Sequence, residues 1–154
     1  MKVSETMSTN VRLAKPDQTI REAAQTMAEV DSGVLPVGEN DRLVGMITDR
    51  DIAVRGIAKG KGPDASVRDV MTDHVDYCFE DQEVEEVTKN MADIKVRRLP
   101  VVNHDKRLVG IVSLGDIACT DDDAKTVSSA LSGISQPGGE HSQSADAGGG
   151  ARAR

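Results

Sequence analysis

Residues 43–53 read Leu43-Val44-Gly45-Met46-Ile47-Thr48-Asp49-Arg50-Asp51-Ile52-Ala53, and residues 108–118 read Leu108-Val109-Gly110-Ile111-Val112-Ser113-Leu114-Gly115-Asp116-Ile117-Ala118. Each stretch is a glycine, two apolar residues, a hydroxyl and, three residues after the hydroxyl, an aspartate. Working outward, the match continues at an offset of 64. Met7 falls on Met71, Val11 on Val75, Asp17-Gln18 on Asp81-Gln82, Met27 on Met91, and Leu35-Pro36-Val37 on Leu99-Pro100-Val101. Asp41 falls on Asp105, and one inserted residue then makes the offset 65. A unit of about 50 residues is too small to bury a core alone, so two copies are expected to build one together.

Each copy reads as strand, helix, strand, strand, helix. The segments 11–14 and 75–79 are expected short strands; in the second, Val75, Tyr77 and Phe79 alternate with polar or small neighbours. A helix follows in each, with Ile20, Ala23, Ala24, Met27 and Val30, or Val84, Val87, Met91 and Ile94, at helical spacing. Asp17 and Asp81 are the candidate N-terminal caps. Strands over 34–37 and 43–48 join through the turn-like Gly38-Glu39-Asn40-Asp41. Their counterparts, 99–103 and 107–112, join through His104-Asp105-Lys106. The second helices begin at Thr48 and Ser113, and Gly60-Lys61-Gly62-Pro63 ends the first. The expected fold class is α/β (α+β), with repeats over 2–58 and 66–119 packed about a pseudo-two-fold axis and a linker at 59–65. Val127, Leu131 and Ile134 predict a short helix within 120–134, near 124–132 and ended by Gly133. The composition of 135–154 reads as disordered.

The chain has 154 residues, a formal net charge of −7, one Tyr, one Phe and no Trp. Stacking on single-stranded nucleic acid needs aromatic platforms, and groove binding needs a basic footprint. Neither is present, so nucleic acid is a poor partner. No apolar run reaches the length of a membrane span, and Met1 to Arg12 lacks the apolar core of a signal peptide. Cys78 and Cys119 are expected as reduced, buried thiols. The scattered His74, His104 and His141 suggest no metal site.

The duplicated polar chemistry admits two readings. Thr48-x-x-Asp51 and Ser113-x-x-Asp116 resemble capping boxes, in which the hydroxyl accepts an amide and the carboxylate steadies the first turn. The same geometry suits a nucleoside phosphate: the hydroxyl stands beside free amides, the aspartate can accept from both hydroxyls of a ribose, and the glycine lets backbone approach closely.

Two copies of this order, with Leu-Pro-Val before the second strand and Gly-h-h-[Ser/Thr]-x-x-Asp after the third, resemble a tandem pair of CBS domains, a Bateman module. The resemblance covers residues 2–119 and extends to the small stand-alone bacterial members of that family. It implies binding of AMP, ADP, ATP, NAD or S-adenosylmethionine in two clefts between the repeats. Asp51 and Asp116 match the ribose-binding aspartate, and Thr48 and Ser113 the hydroxyl that meets ribose or phosphate. Arg97 and Arg98 match basic positions that meet phosphate. Asn10, Val11, His74 and Val75 match segments lining the adenine pocket. With aromatics so scarce, an adenine would be gripped by aliphatic groups, for which Pro36, Pro100, Ile47 and Val112 are candidates. The resemblance also implies a homodimer. Gly33-Val34 stands opposite Arg97-Arg98, so the two clefts need not be equivalent.

The expected function is therefore a non-enzymatic, cytoplasmic sensor of an adenosine ligand, with no catalytic cofactor and with an unknown regulated protein as its partner. The alternative is a ligand-independent interaction or scaffold module in which the aspartates and hydroxyls only cap helices. An enzyme is disfavoured, because no catalytic constellation is evident and Gly60-Lys61-Gly62 lacks the pattern of a phosphate-binding loop.

Overall fold

A computed structural model describes residues 1–120 and 124–135. The tail expected from 135 onward lies outside the described residues, apart from Ser135. The fold is mixed α/β and resolves into two compact units. The first unit is Asn10–Asp76 with Asp105–Leu108. The second is Met1–Thr9, Tyr77–His104 and the described residues from Val109 on.

In the first unit, α1 (Ile20–Val30) buries Ile20, Ala23 and Met27 on one face. Thr19 caps it, its side chain accepting from the Glu22 amide at 3.1 Å, and Asp31 closes it in the left-handed conformation. Strands β1 (Val34–Glu39) and β2 (Arg42–Thr48) form an antiparallel hairpin. Asn40 and Asp41 both take positive φ, 54° and 65°, as a two-residue hairpin turn demands. The strand thus runs through Gly38 and Glu39, which the sequence had suggested for the turn. A register shift at Val37/Gly38 absorbs the irregularity. After β2 come a π-helical turn, Asp51–Gly56, and a 3-10 turn, Ile57–Lys59, closed by Gly60 at φ 81°. Ile20, Leu35, Val37, Ile47, Val67 and Val70 are the centre of this core.

The second unit holds a three-stranded sheet in the order β3 (Cys78–Phe79), β4 (Arg98–Val102), β5 (Leu108–Ser113). Strand β3 is parallel to β4, pairing Cys78 with Val101. Its counterpart in the first unit shrinks to one parallel bridge, Ala14 to Val37. The strands expected over 11–14 and 75–79 are thus largely irregular. The inward residues are Ala14 and Cys78, each 1% exposed, whereas Tyr77 faces out. Both are small enough to sit where the chain enters the sheet.

Helix α2 (Val84–Ile94) buries Val84, Val87, Thr88 and Met91. The expected caps Asp17 and Asp81 are not caps: the helices start two residues later than that reading requires, at Thr19 and Glu83. Gln18 and Gln82 side chains instead fold back onto the Lys15 and Phe79 amides, each at 2.8 Å. Helices α3 (Leu114–Thr120) and α4 (Ala124–Ser135) complete the unit. Gly133 does not end α4 but lies inside it, where a Cβ would sit 3.3 Å from the Ala92 Cβ. Its missing side chain lets α4 lie close on α2, with Ala130 buried and Val127 and Ile134 partly so.

The expectation of two buried thiols holds only for Cys78; Cys119 is exposed on α3. Burial pushes the Cys78 thiol up to about 12 by disfavouring the thiolate.

The units do not coincide with the sequence repeats, because the repeats exchange their leading segments. The 3-10 turn Val3–Glu5 belongs to the second unit, where the Val3 and Ser4 amides donate to Gln82 and Glu80 carbonyls, each at 3.0 Å. The equivalent turn Val67–Asp69 belongs to the first. There the Val67 and Arg68 amides donate to Gln18 and Pro16 carbonyls at 2.8 and 2.9 Å. Ser8 bridges to Ile111 on β5, and Thr72 to Met46 on β2. The stretch between the repeats is also tied down: Ala65 and Pro63 carbonyls accept the Ile20 and Arg21 amides at the start of α1.

Candidate functional site

Both duplicated motifs close into reciprocal boxes. The Thr48 amide donates to Asp51 Oδ2 at 2.9 Å, and the Asp51 amide donates to Thr48 Oγ1 at 3.0 Å. In the second unit the Ser113 amide donates to Asp116 Oδ2 and the Asp116 amide to Ser113 Oγ, both at 3.0 Å. The shorter aspartate thus does what glutamate does in the usual capping box. The boxes do not exhaust these groups. A carboxylate accepts through both oxygens, and a hydroxyl that accepts an amide still has a proton to donate. Asp51 is nearly buried, and its Oδ1 lies 3.8 Å from Arg55 Nη1, which also donates to Thr72 Oγ1 at 3.2 Å.

The first unit holds Asn10, Val11, Pro36, Ile47, Thr48, Asp51, His74 and Val75. Asn10 and His74 are exposed; Val11 and Val75 are half-buried. The second unit holds Arg97, Arg98, Pro100, Val112, Ser113 and Asp116. Arg97 and Arg98 are exposed, while the Arg97 carbonyl accepts the Leu114 amide at 2.8 Å.

Two expectations need correction. Ile47 and Val112, offered as walls of an aliphatic pocket, are fully buried in the two cores. Side chains alternate along a strand, so the half-buried residues sharing a face with Thr48 and Ser113 are Met46 and Ile111. The period of two in the sequence would have found them. Pro36 and Pro100 are also buried.

The second correction concerns the glycines. Gly45 and Gly110 make room for the chain itself. A Cβ on Gly45 would lie 2.8 Å from the Thr72 carbonyl oxygen, and one on Gly110 would lie 2.8 Å from that of Ser8. The exchanged segments, not a ligand, require these glycines.

Among the described residues, no three His, Cys, Asp or Glu side chains group closely enough to hold a metal ion. Nor is any helix there long and apolar enough to cross a membrane.

The family model for the CBS domain matches residues 3–55 and 67–119. CBS domain-containing protein YhcV of Bacillus subtilis is 41% identical over 133 residues, covering 86% of this chain and 94% of that protein. Hypoxic response protein 1 of Mycobacterium tuberculosis is 40% identical over 114 residues, covering 73% and 79%. A crystal structure of hypoxic response protein I with two coordinated zinc ions superposes with a TM-score of 0.71 at 37% identity, covering 78% of this chain and 98% of that one. The CBS domain pair of MJ0100, in complex with 5′-methylthioadenosine and S-adenosylmethionine, gives 0.69 at 30% identity and covers 77% and 94%. CBSX2 in complex with AMP gives 0.70 at 27% identity and covers 80% and 98%. With its duplicated boxes and two matched domains, this chain belongs to the CBS-domain family as a tandem CBS pair.

Proposed function

We propose that the protein is a non-enzymatic regulatory module that binds an adenosine ligand at Thr48/Asp51 and Ser113/Asp116. The observation that carries this reading is the pair of boxes. Each fixes a carboxylate and a hydroxyl by backbone bonds and keeps hydrogen-bonding capacity for the vicinal hydroxyls of a ribose. Asp51 and Asp116 take the ribose, Thr48 and Ser113 the ribose or phosphate, and Arg97 and Arg98 the phosphate. Asn10, Val11, His74 and Val75 stand toward the base, with Met46 and Ile111 replacing Ile47 and Val112 as aliphatic surface. The AMP held by CBSX2 and the two adenosine compounds held by MJ0100 support the ligand class. A cytoplasmic location follows from that intracellular ligand class. Output passes through a regulated protein partner, and the chain pairs with a second copy of itself. Ligand binding shifts the protein toward whichever arrangement it prefers.

The test is titration calorimetry with AMP, ADP, ATP, NAD, 5′-methylthioadenosine and S-adenosylmethionine. Binding that is lost from one site in a folded Asp51→Ala variant and from the other in a folded Asp116→Ala variant supports the reading; no heat from any of them removes it. One observation favours a second reading, a ligand-independent interaction module: both boxes are satisfied by their own backbone. That reading requires Asp51→Ala and Asp116→Ala to lower stability alone.

A further inference from the structure

We infer that the two motif sites take different adenosine ligands: Ser113/Asp116 one with a 5′-phosphate, and Thr48/Asp51 one whose 5′ substituent is uncharged or cationic. The inference rests on the adenosine-binding reading above and goes beyond it to the selectivity of each site.

The backbone beside the two motifs is equivalent. The Asp49 amide donates to the Gly33 carbonyl at 2.9 Å, and the Leu114 amide to the Arg97 carbonyl at 2.8 Å. Residues 33 and 97 therefore stand at matching places against residues 49 and 114. Their side chains are reversed in kind. Arg97 extends an exposed guanidinium, and its neighbour Leu114 turns into the core at 6% exposure. Gly33 has no side chain, and the Asp49 carboxylate fills that space. Its Oδ2 lies 2.7 Å from where a Gly33 Cβ would be. The carboxylate is anchored there, its Oδ1 accepting the Arg50 amide at 2.8 Å.

The local charge follows. Around the first motif Asp49 and Asp51 balance Arg50 and Arg55, and Arg55 is already engaged by Asp51 and Thr72. Around the second, Gly115 and Thr120 replace those two arginines. Asp116 is there offset by Arg97, whose carbonyl accepts the Leu114 amide, and by the adjoining Arg98, which leaves one positive charge. A phosphate monoester carries nearly two negative charges. Beside Asp49 it meets a fixed like charge at short range; beside Arg97 it meets its complement. A methylthio group is indifferent to Asp49, and a sulfonium is attracted by it.

The experiment titrates the full chain with AMP and with S-adenosylmethionine, in the wild type and in Asp49→Asn, Asp51→Asn and Asp116→Asn, with circular dichroism confirming the fold. Asp49 is exposed and outside both boxes, so its variant leaves the scaffold intact. AMP is expected to fill one strong site per chain that is lost in Asp116→Asn and kept in Asp51→Asn. S-adenosylmethionine is expected to show the converse. Asp49→Asn is expected to strengthen AMP binding at the weaker site by about tenfold. Two equal AMP sites in the wild type, or an Asp49→Asn profile identical to wild type, overturns the assignment while adenosine binding stands. If neither ligand binds, the adenosine reading and this inference fall together.

Discussion

Met7 Sδ lies 2.7 Å from the point where Gly110 would carry a Cβ, so the thioether of one repeat occupies the space that a side chain on the other would need. Met71 and Gly45 repeat the relationship at 2.9 Å. Gly110→Ala is therefore expected to cost about 1–3 kcal/mol by overpacking. Met7→Ala in the same chain should recover only part of that, because the Ser8 carbonyl oxygen at 2.8 Å is backbone. Urea denaturation midpoints of the single and double variants measure this. An unshifted midpoint for Gly110→Ala would contradict the packing described.

The second motif uses serine where the first uses threonine, with matching hydrogen bonds. Ser113→Thr should keep both stability and AMP binding. Ser113→Ala should lose about 1 kcal/mol of stability through the missing cap, together with affinity for AMP. Paired denaturation and calorimetry separate the two effects. Loss of stability alone would assign the hydroxyl to capping only.

The two cysteines should react at very different rates. Cys119 is exposed, whereas Cys78 is buried with its thiol at about 12 and its Sγ 3.8 Å from the Pro100 carbonyl oxygen. The thiolate is the reactive form. Ellman's reagent at pH 8 is expected to label one thiol per folded chain quickly and the second only after unfolding. Rapid labelling of both would place Cys78 outside the core.

His104 Nε2 lies 2.8 Å from Asp81 Oδ2, and the imidazole stacks on Phe79 with ring centroids 4.9 Å apart. The hydrogen bond from His104 holds the Asp81 carboxyl below its ordinary value. A carboxyl lowered in the folded state stabilises it above the ordinary carboxylate range, near pH 3.9. That contribution is lost as pH falls through the lower folded value. His104→Ala should return Asp81 to the ordinary range in a carboxyl-carbon NMR titration. An unchanged titration would mean that His104 does not set it.

The duplication, both hairpins and the two boxes were legible in the sequence because each rests on local pattern: Leu43-Val44-Gly45 against Leu108-Val109-Gly110, and a hydroxyl three residues before an aspartate. The exchange of leading segments was not legible, for a definite reason. Met7 and Met71 are equivalent, as are Gly45 and Gly110, so packing on one's own repeat or on the other leaves the same residues in the same pattern. Cap positions slipped by two residues because Gln18 and Gln82 bend the chain with side-chain bonds that propensity does not weigh. The Gly33–Asp49 contact joins residues on either side of a hairpin, and only their closeness in space gives Asp49 its meaning.

The exchange also sets an order of events in time. The ribosome makes Ile111 about a hundred residues after its partner Ser8. At about 5–20 residues per second, residues 1–9 wait several seconds for the strand that receives them. Most of the first unit, residues 10–76, is complete long before. Residues 1–9 thus join late, and the second unit closes only once the segment that begins at Val109 has been synthesised.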